Sequence, residues 1–287
     1  MHISKSLLFL SLLLLIGCSQ TEEKTLSTEM ETLYVGTFSN EAYILNMNKN
    51  TGELVIRDTI VDVFKPSYLT LHPNKKYLYI TERAQEEEDH GWVSAYRIDG
   101  GKLERINRVS SQGKGPCHIS VDATGKFVLV ANYFEVVASF SIQENGKLSE
   151  AISTDQHLRT LPEAPRQETG HPHMVLPAFE SIVLATDLGL DSIFHYQISN
   201  EGALRLIAKT PTATAAGPRH MEIHTNHKWA YVLNELNRTI EVFRIHEPAM
   251  PFEHIQTIPT LSSDDPRVTT AAIHLHPNGK FLYTSNR

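Results

Sequence analysis

The chain has almost no cysteine. Two thiols in 287 residues, Cys18 and Cys117, exclude a disulfide scaffold, so stability has to come from a large hydrophobic core. There is no basic surplus: 33 Asp and Glu against 26 Lys and Arg leave a net charge of −7, which argues against nucleic acid as a partner. Beyond Leu7–Ile16 there is no long apolar run, and that one is too short to span a bilayer. No stretch carries the period of a long amphipathic helix. With 41% hydrophobic and 21% charged residues, the composition is that of a folded globular chain.

What is present begins with a leader. Lys5 ahead of the apolar run gives residues 1–17 the form of a signal peptide. Leu15-Ile16-Gly17-Cys18 resembles a bacterial lipoprotein box, in which the cysteine is lipidated. An ordinary secretory signal is the alternative. Residues 18–31 are polar and acidic and suit a flexible tether. The expectation is an exported, monomeric chain, anchored in the cell envelope at Cys18, with the membrane reached through that lipid alone.

Self-similarity organises the rest. Five segments share a small residue or Pro, an apolar strand, a polar turn and a second strand. They start near Pro66, Pro116, Gly170, Gly217 and Thr270, and a sixth copy of the second strand alone begins at Leu33. Two further strand signals follow most copies, such as Ile193–Ile198 and Ile240–Ile245. Four strands per unit of this length is the pattern of a β-propeller blade. The expectation is an all-β propeller of four-stranded blades over residues 32–287, with five to six blades present and the arc left open at its C-terminal side. His72, His224 and His276 fall in the turns and are assigned to turn chemistry. Glu86–Asp89 is assigned to a solvated loop.

In a propeller the starts of first strands and the ends of second strands gather on one face around the axis. Aligned by spacing, the starts are Ser67, Cys117, His171, Arg219 and Ala271, and the ends are Glu82, Asn132, Asp187, Glu235 and Asn286. Arg83, His118, His173, His220 and Arg287 are their neighbours. Titratable groups converging on a central pocket mark a site. Ion pairs knitting blades together are the alternative. His171-Pro172-His173 also has the look of a metal-ligand pair, since alternate strand residues share a side, but no carboxylate or cysteine spacing extends it.

Gly217-Pro218-Arg219-His220-Met221, Asn234-Glu235-Leu236 and His276-Pro277-Asn278-Gly279 through Ser285-Asn286-Arg287 closely resemble the seven-bladed β-propeller lactonase family, which includes 6-phosphogluconolactonase and carboxy-muconate cyclase. The resemblance covers residues 32 to 287. It implies hydrolysis of a sugar-acid lactone without a cofactor or metal, with His171, Arg219, Glu235 and Arg287 as catalytic residues. Glu235 would be the general base, an arginine would hold the oxyanion, and His171 would protonate the leaving oxygen. His118, His173, His220, Asn132 and Asp187 would bind substrate. A non-catalytic ligand- or protein-binding propeller and a muconate-type cycloisomerase are the other readings.

Overall fold

The computed structural model describes residues 29–158, 165–262, 265 and 267–287. The leader, Cys18 and most of the expected tether lie outside them. Every regular element among the described residues is a strand. The first sheet holds β1 (Met30–Val35), β2 (Ala42–Asn48) and β3 (Leu54–Ile60). Met30 and Glu31, expected as tether, pair with Asn48 and Met47 because the β2 edge offers them backbone partners.

Four sheets of four strands each and a last one of two strands follow in chain order. The second sheet is β4 (Pro66–Leu71), β5 (Tyr77–Glu82), β6 (Trp92–Asp99) and β7 (Lys102–Ser110). The third is β8 (Lys114–Val121), β9 (Phe127–Phe134), β10 (Val136–Ile142) and β11 (Leu148–Gln156). The fourth is β12 (Pro172–Phe179), β13 (Ile182–Asp187), β14 (Ser192–Ile198) and β15 (Leu204–Pro211). The fifth is β16 (Pro218–Ile223), β17 (Trp229–Asn234), β18 (Thr239–Arg244) and β19 (Glu253–Pro259). A sixth sheet pairs β20 (Thr270–Leu275) with β21 (Leu282–Asn286). Each sheet is an antiparallel meander, and the first and sixth share no strand pairing.

The core lies between blades. Tyr79 and Val93 of the second sheet pack on Ile119 and Phe140 of the third. Val137 of the third meets Val183 and Phe194 of the fourth, and Leu184 of the fourth meets Met221 and Phe243 of the fifth. Each such aromatic or branched side chain, fully buried, contributes about 1.5–3 kcal/mol. Polar turns fasten the opposite face. The Nδ1 atoms of His72, His224 and His276 accept from the backbone N–H two residues on, at 3.1, 3.1 and 3.2 Å. The Nε2 atoms of His72 and His224 reach the Gly125 and Gly279 carbonyls of the next blade, at 2.9 and 3.0 Å. These histidines are turn residues, as expected.

One irregularity recurs and sets up the site. Pro66 pairs with Glu82, Pro116 with Asn132, Pro172 with Asp187 and Pro218 with Asn234. In each case the next residue is a bulge: Ser67, Cys117, His173 and Arg219 have no partner across the ladder. A bulge inserts an extra residue and re-aims its side chain. A proline immediately before it has no N–H to contribute, which suits the break in the ladder.

Candidate active site

The four bulged residues converge. Ser67, Cys117, His173 and Arg219 all line one cavity of about 440 Å³ on the axis. The register moves two assignments made from spacing. The residue equivalent to Arg219 is His173, not His171. The residue equivalent to Glu82, Asn132 and Asp187 is Asn234, so Glu235 belongs one position further on, with Arg83, Tyr133, Leu188 and Arg287. Of that second set, Arg83, Tyr133 and Arg287 line the cavity.

Glu235 closes the last turn of its hairpin, its N–H bonded to the Gly217 carbonyl at 2.7 Å. Gly217 adopts a positive φ of 66°, and a Cβ there would come within 2.6 Å of Leu236. Asp191 fixes this turn by accepting from the N–H groups of Ala215 and Gly217 at 2.7 and 2.8 Å. The Glu235 side chain is fully buried and meets three guanidiniums. Oε1 accepts from Arg166 Nη1 at 2.8 Å and from Arg287 Nη2 at 3.2 Å. Oε2 lies 3.0 Å from Arg219 Nε. That last contact is an ion pair without hydrogen-bond alignment, so neither atom has a hydrogen-bond partner among the described residues. The three arginines come from three segments of the chain and are brought together by one carboxylate.

Arg219 also donates from Nη1 to the Ala271 carbonyl. Burial, offset by Glu235, lowers its pKa. Arg166 was invisible to the repeat pattern, because it sits in the connection between β11 and β12 rather than at a repeated position. Its backbone has a φ of 71°, and its Nη2 donates to the Tyr133 hydroxyl at 3.1 Å.

The imidazoles divide into two groups. His118 and His220 stand one residue after the bulge, with Tyr68 at the same position, and the three rings cluster, Tyr68 and His220 lining the cavity. Their centroids are 4.3 Å apart for Tyr68–His118 and 5.9 Å for His118–His220, and His173 approaches His220 at 5.3 Å. Burial, reinforced by Arg219, pushes the His118 pKa down to about 3. Burial likewise holds His173 and His220 well below the usual range. All three are neutral groups that can polarise or accept without carrying charge.

His171 differs. It stacks on Tyr133 at 4.3 Å, and its Nδ1 faces the Tyr133 carbonyl at 2.8 Å. A carbonyl can only accept, so Nδ1 carries the proton and the neutral ring presents the Nε2 lone pair. The bulge between Pro172 and Met174 breaks strand alternation, so His171 and His173 do not act as a facing pair. Among the described residues no cluster of three His, Cys, Asp or Glu is arranged to hold a metal.

Asn132 and Asp187 do not line the cavity. The Asn132 amide donates to the Ser111 and Val136 carbonyls at 2.8 and 3.2 Å. Asp187 accepts from the N–H groups of His171 and Leu190 at 2.8 and 2.9 Å and pairs with His157 Nδ1 at 2.6 Å. The sequence expectation that they bind substrate is corrected: they sit opposite their blade's proline and satisfy nearby backbone groups. Cys117 is lodged among the Ala131, Pro172 and His173 carbonyls, and burial raises its thiol to about 12, which makes it unreactive. Two other hollows, one beside β1 and one beside Phe127 and Phe179, gather no comparable set of titratable groups.

The chain is 32% identical over 263 residues to a 6-phosphogluconolactonase of Bacillus subtilis, covering 88% of this chain and 74% of that protein. It is 29% identical over 268 residues to a 6-phosphogluconolactonase of Formosa agariphila, covering 89% and 75%. The solved structure of a periplasmic gluconolactonase from Pseudomonas aeruginosa superposes with a TM-score of 0.81 at 26% identity, covering 90% of this chain and 76% of that one. The model of the family described as "Lactonase, 7-bladed beta-propeller" matches residues 32–287. The chain belongs to the seven-bladed β-propeller lactonase family.

Proposed function

We propose that the protein hydrolyses a sugar-acid lactone in the axial cavity. The observation that carries this reading is the convergence of Arg166, Arg219 and Arg287 on buried Glu235 beside a cavity of small-molecule size. Opening a lactone requires a carbonyl oxyanion to be stabilised, water to lose a proton, and the ring oxygen to gain one. Guanidiniums held in place before reaction stabilise the oxyanion without reorganising. Arg219 and Arg287 supply them, since each keeps N–H groups beyond those spent on Glu235.

Glu235 serves as the anchor of these arginines. Both of its oxygens are engaged by guanidiniums, which removes the reason to make it the base. His171, stacked on cavity-lining Tyr133, takes that role. Its Nε2 accepts the proton of the attacking water as the water oxygen bonds to the lactone carbon. When the bond from that carbon to the ring oxygen breaks, Nε2 returns the proton to the leaving oxygen. The product is an open hydroxy acid. Neutral His173 and His220 line the substrate without adding charge.

Export with a lipid on Cys18 is part of the same proposal, supported by the Leu15-Ile16-Gly17-Cys18 motif and by the periplasmic relative. Cys18→Ser is expected to move the protein out of the membrane fraction, and unchanged fractionation contradicts the anchor. For the activity, proton release is followed on a panel of aldonolactones. Turnover above the spontaneous rate is expected. Its absence for every lactone would leave a binding platform.

A further inference from the structure

Arg83 stands apart from the other cavity arginines. Arg166, Arg219 and Arg287 converge on Glu235. Arg83 also lines the cavity, yet it forms no ion pair among the described residues, and its Nε is buried without a hydrogen-bond partner. Its guanidinium carbon lies 5.0 Å over the ring of Phe38, which lines the cavity too. A ring face attracts the cation but satisfies none of its N–H donors.

Charge and position extend the argument. Among the described residues no Asp or Glu lines the cavity, and Glu235 behind its wall is engaged by the other three arginines. Four guanidiniums therefore face one carboxylate, and the neutral imidazoles do not change that balance. Arg83 occupies in the second sheet the repeat position that Glu235 occupies in the fifth, directly after the second strand. Two blades, the third and fourth, lie between them around the axis, so a ligand reacting beside Glu235 has its far end toward Arg83.

We propose that Arg83 is a specificity-determining residue that binds an anionic group, phosphate or carboxylate, carried on the substrate at the end remote from the lactone carbonyl. The proposal rests on the lactonase reading for its account of which end reacts. Guanidinium suits both anions, because its paired N–H groups match two oxygens at once.

The test uses the full chain and three lactones: glucono-δ-lactone, its 6-phosphate, and a glucarolactone carrying a distal carboxylate. Wild type is expected to favour one anionic lactone in kcat/KM, and the one favoured identifies the anion. In Arg83→Met that preference over the neutral lactone is expected to fall by about 10- to 100-fold, mostly through KM. Arg83→Lys should retain part of it. An unchanged preference in Arg83→Met, or none in wild type, overturns the assignment. Should the methionine variant fail to fold, Arg83→Gln carries the same comparison. Calorimetric binding of gluconate, gluconate 6-phosphate and glucarate separates this proposal from the lactonase reading. Selective loss of the anionic acids in the variant upholds Arg83 even if no lactone is opened, and equal binding to both proteins rejects it.

Discussion

Two sets of polar residues lie one position apart in sequence, and they do different things. Glu82, Asn132, Asp187 and Asn234 each pair with their blade's proline across the ladder, and all are buried. Their side chains turn to local partners. Glu82 accepts from Ser94 and from the Phe64 N–H and pairs with Arg108 at 3.0 Å. Asn234 donates to Thr239 and Glu241, both at 3.0 Å. Arg83, Tyr133, Glu235 and Arg287 come next in the chain, and their side chains serve the axis. The first set fastens loops to blades. The second builds the cavity and the arginine cluster. A single residue of register decides between structure and chemistry, and that register is set by the bulge after each blade's proline.

The largest effects are expected where the second set and its partners are disturbed. His171→Gln removes the proposed proton carrier and should lower kcat by about 10²- to 10⁴-fold with little change in melting temperature. A rate within a few-fold of wild type would move the proton transfer elsewhere. Glu235→Gln should also cost rate, and here stability falls too, because three guanidiniums lose their shared counter-charge. Loss of a buried partner of this kind costs about 3–5 kcal/mol. A rate loss in Glu235→Gln with no loss of stability would restore Glu235 as the base.

A smaller effect is expected in the first set. Asn132→Ala strands the Ser111 and Val136 carbonyls and should destabilise by about 1–3 kcal/mol. Turnover measured below its melting temperature should match wild type. Lost turnover in a folded Asn132→Ala would merge the two sets.

Acid tests the neutral floor of the cavity. The His118 pKa is lowered to about 3 in the folded state, against about 6.5 unfolded. Between those values the unfolded chain binds more protons, so stability falls as pH drops from 6.5 toward 3 and is restored as pH rises. His118→Gln should flatten that part of a melting-temperature profile. An identical profile would show that His118 does not carry the dependence. Least is expected of the turns: His72→Ala removes two backbone contacts and should cost about 0.5–1.5 kcal/mol with no effect on rate.

The blade repeat was legible because each copy has alternating apolar strands, a polar turn and a similar spacing. Arg219, Glu235 and Arg287 were legible through motif. The offsets, two residues at His171 and one at Asp187, arose because the loops between copies differ in length, which equal spacing ignores. The prolines could have corrected them: Pro172 aligns with Pro66, Pro116 and Pro218, and the residue after each enters the cavity. Arg166 could not be found this way. Its loop has no counterpart in the repeat, and only tertiary packing brings it to Glu235.

The separation of the two sets is tested most directly on adjacent residues. The measurement is kcat/KM for an opened aldonolactone in Asn234→Ala and in Glu235→Gln, taken below the melting temperature of both. The account predicts near wild-type kcat/KM for Asn234→Ala and a loss of at least about 10²-fold for Glu235→Gln. Equal losses in the two variants, or an active Glu235→Gln, would contradict it.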